Sequence, residues 1–399
     1  MSDTLTPPAL AEDRNAWSDD EFRARWREWL AAHYPAEWRQ TDRRPFLRLR
    51  GEDLRACMRL LHAHGWRAPA WPREHGGMGL SFRKQWIYQQ EWERAGGART
   101  VEPGETHLAP TLFHYGTPEQ CAHHLPRILR CDDLWVQGYS EPGAGSDLAS
   151  LRTKAVREGD DFIVNGQKIW TTQAAESTHI FALVRTGQFA KKQQGISFLL
   201  IALNSPGVRI RPIVNLAGED ELCEVFFDDV RVPASNLVGE LDQGWTVAKA
   251  LLGHERLWLG SPAMAGRALG VAQRLVHEAG HAGDLGVTDR LAQLQADLHD
   301  YHALYTQQCR RVADHGTEPG PEASLLKVYI TELLQRIVQF SVDIAAEYGG
   351  QTGDLRLGDW VTDLHWPYMN ARPGTIYAGC NEVLRDILAK TVLQLGAAR

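Results

Sequence analysis

The feature that most constrains this chain is a change of hydrophobic period near Trp135 and its reversal near Trp245. Before the change, apolar residues recur at helical spacing. In "DDEFRARWREWLAAHY", Phe22, Trp26, Trp29 and Leu30 fall on one helix face, and Asp19 and Asp20 suit its start. "GEDLRACMRLLHAHG" repeats the pattern through Leu54, Met58 and Leu61, with Gly65 as a stop. After the Pro/Gly-rich "APAWPREHGGMGL", a further helix runs through Trp86 to Arg94. "TPEQCAHHLPRIL" has Thr117 as its N-cap and Pro118 at the first helical position. Between the two changes lie "DDFIVNGQKIWTT", "HIFALVRT", "GISFLLIAL", "GVRIRPI" and "CEVFFDDVRVP". These are β-branched or aromatic runs with turn residues and no helix between them, which predicts an antiparallel sheet or barrel. Asn165–Gly166 is expected to form a two-residue hairpin turn. From Trp245 the helical period runs nearly to the end, broken only at "AEYGGQTGDLRLGD" and "NARPGT". The resulting division is a helical domain over 1–134, a β-domain over 135–240 and a helical bundle over 241–399.

At 399 residues the chain is too long for one ordinary core, in keeping with two or three domains. A net charge of −7 argues against a nucleic-acid partner, which needs clustered Lys and Arg. No apolar run approaches the ~20 residues that span a bilayer, and "ISFLLIAL" at 196–203 reads as a buried strand. "MSDTLTPPALAEDRN" has neither the basic start nor the apolar core of a secretory signal. The six cysteines are scattered singly, and the His123–His124 pair beside Cys121 has no second ligand cluster at zinc spacing. Reduced, mostly buried thiols in a cytoplasmic enzyme are the expectation, with no metal. The 14 Trp suggest large flat packing surfaces, more often core than cofactor platform.

Two stretches carry chemistry. "SEPGAGSD" (140–147) sets Gly143, Ala144 and Gly145 where backbone N–H groups can approach a ligand, and Ser146 adds a hydroxyl. It lacks the third glycine and βαβ context of a dinucleotide fingerprint and the GK[ST] of a Walker loop, and composition alone favours a plain turn. "NGQKIWTT" puts Trp170 and Thr172 on one face of a strand, where Trp could cover a planar ring and Thr could bond its edge. An ordinary inward-facing sheet pair explains the same spacing.

Taken together, "WVQGYSEPGAGSDLASLRTKAVREGDDFIVNGQKIWTT" closely resembles the flavin-binding segment of the acyl-CoA dehydrogenase family. "AWPREHGGMGL", "GTPEQ", "FFDDVRVP" and "TIYAGCNEVLRDIL" resemble other patterns of that family, in its order, so the likeness covers nearly the whole chain. The resemblance implies an α+β multidomain fold: an N-terminal helical domain, a middle antiparallel β-barrel domain and a C-terminal four-helix bundle. It also implies FAD, removal of an α-proton and a β-hydride from an acyl-CoA thioester, and electron transfer to an electron-transfer flavoprotein. By motif position, Gln137, Tyr139, Ser140, Gly145 and Ser146 would line the flavin and its phosphates, and Trp170 and Thr172 its ring. Ser146, Arg256, Tyr377 and Ala378 would serve the substrate.

The base is where this chain departs. Many members carry the catalytic Glu in "IYEG"; here that position is Ala378, which takes no proton. Other members place it on the helix after the β-domain, just before an Arg, and that position is Glu255, in "LLGHERLWLG". A base for a weakly acidic α-proton needs a raised pKa, and Leu251, Leu252, Leu257 and Trp258 could supply the dry surroundings. The Ala378 N–H could still bond the thioester oxygen, since that donor needs no side chain. The family's "RxxFG" is missing, with Arg290 a loose substitute. Cys380 and Glu382 replace the usual Thr and Gln of the cofactor side, and Ala346, followed by Glu347, replaces a Gln. These losses fall where a neighbouring subunit would be served. They suggest a heterotetramer with a related subunit in place of a homotetramer. Competing readings are a flavin oxidase or monooxygenase of the same fold, a non-catalytic subunit, and a scaffold without ligand.

Overall fold

The computed structural model describes residues 12–249, 257, 260–316 and 320–396. In chain order come helices α1 (Asp19–His33), α2 (Gly51–Ala63), α3 (Phe82–Arg94), α4 (Ala109–Tyr115) and α5 (Pro118–Leu129). Strands β1 (Trp135–Gly138), β2 (Lys154–Glu158), β3 (Asp161–Thr172), β4 (His179–Arg185), β5 (Ile196–Ala202), β6 (Val208–Ile213), β7 (Leu222–Pro233) and β8 (Leu237–Val238) follow. Then come α6 (Ala263–Glu278), α7 (Leu285–His315), α8 (Ala323–Ile344), a small hairpin of β9 (Leu355–Leu357) and β10 (Trp360–Thr362), α9 (His365–Ala371) and α10 (Asn381–Ile387). The architecture is therefore the expected helical, β and helical series.

The chain divides into two compact units. One holds Met1–Trp17, Leu49–Leu80 and Thr100–Gly253, and the other Ser18–Arg48, Ser81–Arg99 and His254–Arg399. In the first, α2, α4 and α5 accompany the sheet. Thr117 starts α5 with a full capping box, its hydroxyl accepting from the Gln120 N–H while the Gln120 side chain takes the Thr117 N–H, and Pro118 follows. The sheet runs β6-β7-β3-β2-β4-β5-β8. It is antiparallel through most of this path, with parallel contacts where β1 and the first residue of β2 meet β4. β5 is buried along nearly its whole length, in line with its unbroken apolar sequence.

The Asn165–Gly166 expectation is corrected. The hairpin turn is instead Gly159–Asp160, flanked by the Glu158–Asp161 pair, with Gly159 at φ +63°. Asn165 and Gly166 lie inside β3, opposite a bulge at Asp228–Asp229 in β7. The Asn165 amide donates to Asp229 Oδ1 at 2.9 Å, and its oxygen accepts the Asp229 N–H at 2.9 Å, closing the bulge. Gly166 is required because a Cβ there would lie 2.7 Å from the Thr153 Cα. The dipeptide serves close strand approach, which leaves the same sequence mark as a turn.

In the second unit, α6, α7 and α8 supply most of a shared core, including Leu269, Leu275, Tyr301, Leu333 and Ile337. Residues 244–249, assigned to the first unit, are also helical. α1 begins at Ser18, whose hydroxyl accepts the Glu21 N–H at 3.1 Å, with the expected acidic residues in the first turn. The break at "TGDLRLGD" folds into the β9–β10 hairpin. All six cysteines are free, and Cys57, Cys131, Cys223 and Cys309 are buried. Among the described residues no helix is long and apolar enough to cross a membrane, and no group of side chains could hold a metal ion.

Candidate active site

The loop after β1 is fastened to β3 by a buried ion pair. The Lys168 ammonium donates to Glu141 Oε1 at 2.8 Å and to the Tyr139 carbonyl at 3.2 Å. Backbone also reaches Glu141: the Arg152 N–H donates to Oε2 at 2.6 Å and the Thr153 N–H to Oε1 at 2.9 Å. Burial pushes the Glu141 carboxyl up, but the Lys168 charge and these hydrogen bonds outweigh it and hold it below its usual value. The Ile169 N–H donates to the Ser140 carbonyl at 3.0 Å, so loop and strand are laced together just before Trp170.

Trp170 stands out twice. It is 56% exposed, and its φ is +62°, a region that bulky residues avoid. The cause is a bulge: Lys168 pairs with Val225 and Thr171 with Cys223, so Ile169 and Trp170 together oppose Glu224. The expected regular alternation from Trp170 to Thr172 is therefore interrupted. Thr171 is buried while Trp170 turns outward and Thr172 is half-buried. Gly143 and Gly145 face open space, where even an added Cβ would meet nothing within 4 Å, and Ser146 is exposed. Tyr139 is buried against Phe181 and Phe198. The enclosed Nε2 of Gln137 finds no acceptor among the described residues. An exposed indole, an open loop and an orphaned amide donor fit a flat ligand with a hydrogen-bonding edge and a phosphate, as FAD has.

A second group lies in the other unit. Ile376 and Tyr377 are exposed, and Ala378 and Gly379 follow at φ +52° and +83°. Two successive left-handed residues turn the chain sharply into α10. Among the described residues none accepts the Ala378 N–H. Cys380 precedes α10 and Glu382 is exposed in its first turn, where hydrogen bonds from its own N–H and from the Cys380 side chain hold its carboxylate below the usual value. Arg290 pairs with Asp343 at 2.7 Å. Glu255 and Arg256 lie outside the described residues. Their neighbour Leu257 is described and fully buried.

Sequence reasoning passed over Glu141, Lys168 and Lys327. A signal existed for two of them: Lys168 falls in phase with the core-facing Phe162 and Val164, and Lys327 falls between Ala323 and Ile330 on the buried face of α8. A cation at a core position announces a partner.

Three family models match in succession: the acyl-CoA dehydrogenase N-terminal domain over residues 18–132, the middle domain over 137–230 and the C-terminal domain over 242–393. The chain belongs to the acyl-CoA dehydrogenase family. Acyl-CoA dehydrogenase IpdE1 of Mycobacterium tuberculosis is 37% identical over 392 residues, covering 94% of this chain and 97% of that protein. The solved structure titled Tcur3481-Tcur3483 steroid ACAD shares 31% identity at a TM-score of 0.83, covering 95% of this chain and 98% of that one. A chain of the ChsE4-ChsE5 complex from Mycobacterium tuberculosis matches at 31% identity and a TM-score of 0.80, covering 97% and 100%. As a member of this oxidoreductase family, the chain has the fold of an acyl-CoA dehydrogenase.

Proposed function

We propose that this acyl-CoA dehydrogenase carries out FAD-dependent α,β-dehydrogenation of an acyl-CoA thioester to a trans-2-enoyl-CoA. The observation that carries the reading is the exposed, left-handed Trp170, set beside a loop that a buried ion pair locks to the same strand. Gln137, Tyr139, Ser140, Gly145 and Ser146 hold the cofactor through the loop and its flanks, and Trp170 and Thr172 support the ring. Cys380 and Glu382 occupy the remaining cofactor positions. The Glu255 carboxylate takes the α-proton, Arg256 supports it, and Tyr377 and Ser146 serve the substrate. The Ala378 N–H donates to the thioester oxygen, where negative charge develops as the proton leaves. When bound, FAD supplies the oxidant, accepting the β-hydride so that the Cα–Cβ double bond forms.

The three family domains are taken to lie at 1–134, 135–240 and 241–399. A ring-bearing or otherwise bulky acyl group is the proposed substrate class, supported by the 31% identity to a structure titled as a steroid enzyme. A heterotetramer with a related chain, working in the cytoplasm and passing electrons to an electron-transfer flavoprotein, is the proposed setting. A neighbour named as a two-component complex supports the heteromer, as do Ala346, Cys380 and Glu382 in this sequence.

The test is anaerobic titration of the purified yellow protein with CoA thioesters of graded size. Bleaching of the flavin by a bulky thioester is expected. A colourless protein that binds no FAD, alone or with its partner chain, would overturn the reading. Flavin counted per chain separates the homomer, at one each, from a heteromer with fewer.

A further inference from the structure

Lys327 is a buried cation that the proposed reaction leaves without a task. It is 1% exposed on α8, and among the described residues no carboxylate lies within ion-pair distance. Its ammonium donates to the Gly379 carbonyl and to Asn381 Oδ1, both at 2.9 Å. Asn381 is itself fixed, its amide donating to Thr331 Oγ1 at 3.2 Å and Glu332 Oε1 at 3.0 Å. One turn further along α8, Gln335 Nε2 donates to the Ala371 and Arg372 carbonyls at 3.1 Å each. Lys327, Thr331 and Gln335 recur at i, i+4 and i+8, so one helix face carries a polar ladder along the segment from Ala371 to Asn381.

That ladder ends at a left-handed turn. Ala378 is left-handed at φ +52°, a conformation that a residue with a Cβ avoids, and such strain persists only where the surroundings over-determine it. Enclosing an ammonium without a counter-ion also costs free energy. Burial pulls Lys327 down to about 8, with Cys380, Glu382 and Glu332 pulling the other way, and the Tyr377 ring centre lies 6.0 Å off. A hydrophobic residue would pack there more cheaply. What the ammonium gains is control of the carbonyl that follows Ala378.

We propose that Lys327 is a positioning residue: it clamps the Ala378–Gly379 turn through the Gly379 carbonyl and Asn381, and so aims the Ala378 N–H at the thioester oxygen. This rests on the proposed role of Ala378 as the thioester contact. Because the acid of "IYEG" is absent here, the backbone donor is all that position 378 contributes, and its aim matters correspondingly more.

The experiment compares Lys327→Met, Lys327→Arg and Asn381→Ala with the wild-type holoenzyme, measuring flavin content, substrate dissociation constant and the limiting rate of anaerobic flavin bleaching by an active CoA thioester. Lys327→Met is expected to keep its flavin and bind substrate within about 3-fold of wild type, while its limiting rate falls about 10²-fold, the scale of an ångström of misplacement. Lys327→Arg is expected to recover part of that loss, and Asn381→Ala to lose roughly 10-fold. Should Lys327→Met not fold, Asn381→Ala decides. Wild-type limiting rates in the folded variants, or losses confined to substrate binding, would overturn the inference while leaving the function intact. No bleaching of the wild type by any thioester would instead remove the functional reading on which the inference stands.

Discussion

The loop at 140–147 and the turn at 376–381 are both held by a buried lysine, yet in opposite ways. Lys168 meets a carboxylate, Glu141, and the pair neutralises itself while fastening loop to strand. Lys327 meets a carbonyl and a carboxamide, so its charge stays uncompensated by any ion-pair partner among the described residues. The first region lies within the match to the family's middle domain, and a buried ion pair with backbone hydrogen bonds scaffolds it. The second has lost its carboxylate at 378 and depends on backbone geometry held from α8. A self-neutralising clamp suits a surface that binds and stays bound. A clamp built on hydrogen bonds ties the geometry of the turn to Lys327 and Asn381.

Breaking the first clamp should give the largest effect. Glu141→Gln leaves Lys168 buried without its counter-charge and is expected to lose about 3–5 kcal/mol of stability, read by denaturant unfolding. The wild type should show the same dependence through pH. Because the folded carboxyl titrates below its unfolded value, the native state binds fewer protons in the acid range. Its contribution is then complete above about 4.5 and drains away as pH falls through the lowered value. An acid unfolding curve unchanged by the Gln substitution would show that the pair holds nothing. Next in size is Trp170→Gly, which relieves a left-handed indole and should stabilise the apo chain by about 1–2 kcal/mol. The same change should weaken FAD by about 0.5–1.5 kcal/mol, roughly 2- to 10-fold in dissociation constant, through loss of ring contact. Weaker folding together with unchanged FAD affinity would make Trp170 an ordinary packing residue. The smallest change is Ala378→Gly, expected to stabilise by no more than ~1 kcal/mol by thermal unfolding, since glycine accepts positive φ freely.

The order of helices and strands was legible in the sequence because hydrophobic period reports it directly. The Thr117 cap, the start of α1 and the buried β5 follow from local rules that tertiary structure left alone. Asn165–Gly166 misled because a glycine needed for strand proximity looks the same as one needed for a turn. The bulge at Ile169–Trp170 was hidden for a related reason. Alternation is read along one strand, whereas a bulge belongs to the pairing of two. On the site, motif position indicated which residues to look at. It did not indicate what holds them, because Glu141, Lys168 and Lys327 act on backbone groups far from them in sequence. The proposal of Glu255 rests on the family pattern alone, through the alanine that stands at 378.

The base itself is tested most directly by Glu255→Gln, watched in a single anaerobic turnover with the thioester that bleaches the wild type fastest. The variant should bind FAD in full and bleach more slowly by at least about 10³-fold, since no second base stands at 378. Bleaching at the wild-type rate with flavin fully bound would contradict the assignment and place the proton acceptor elsewhere.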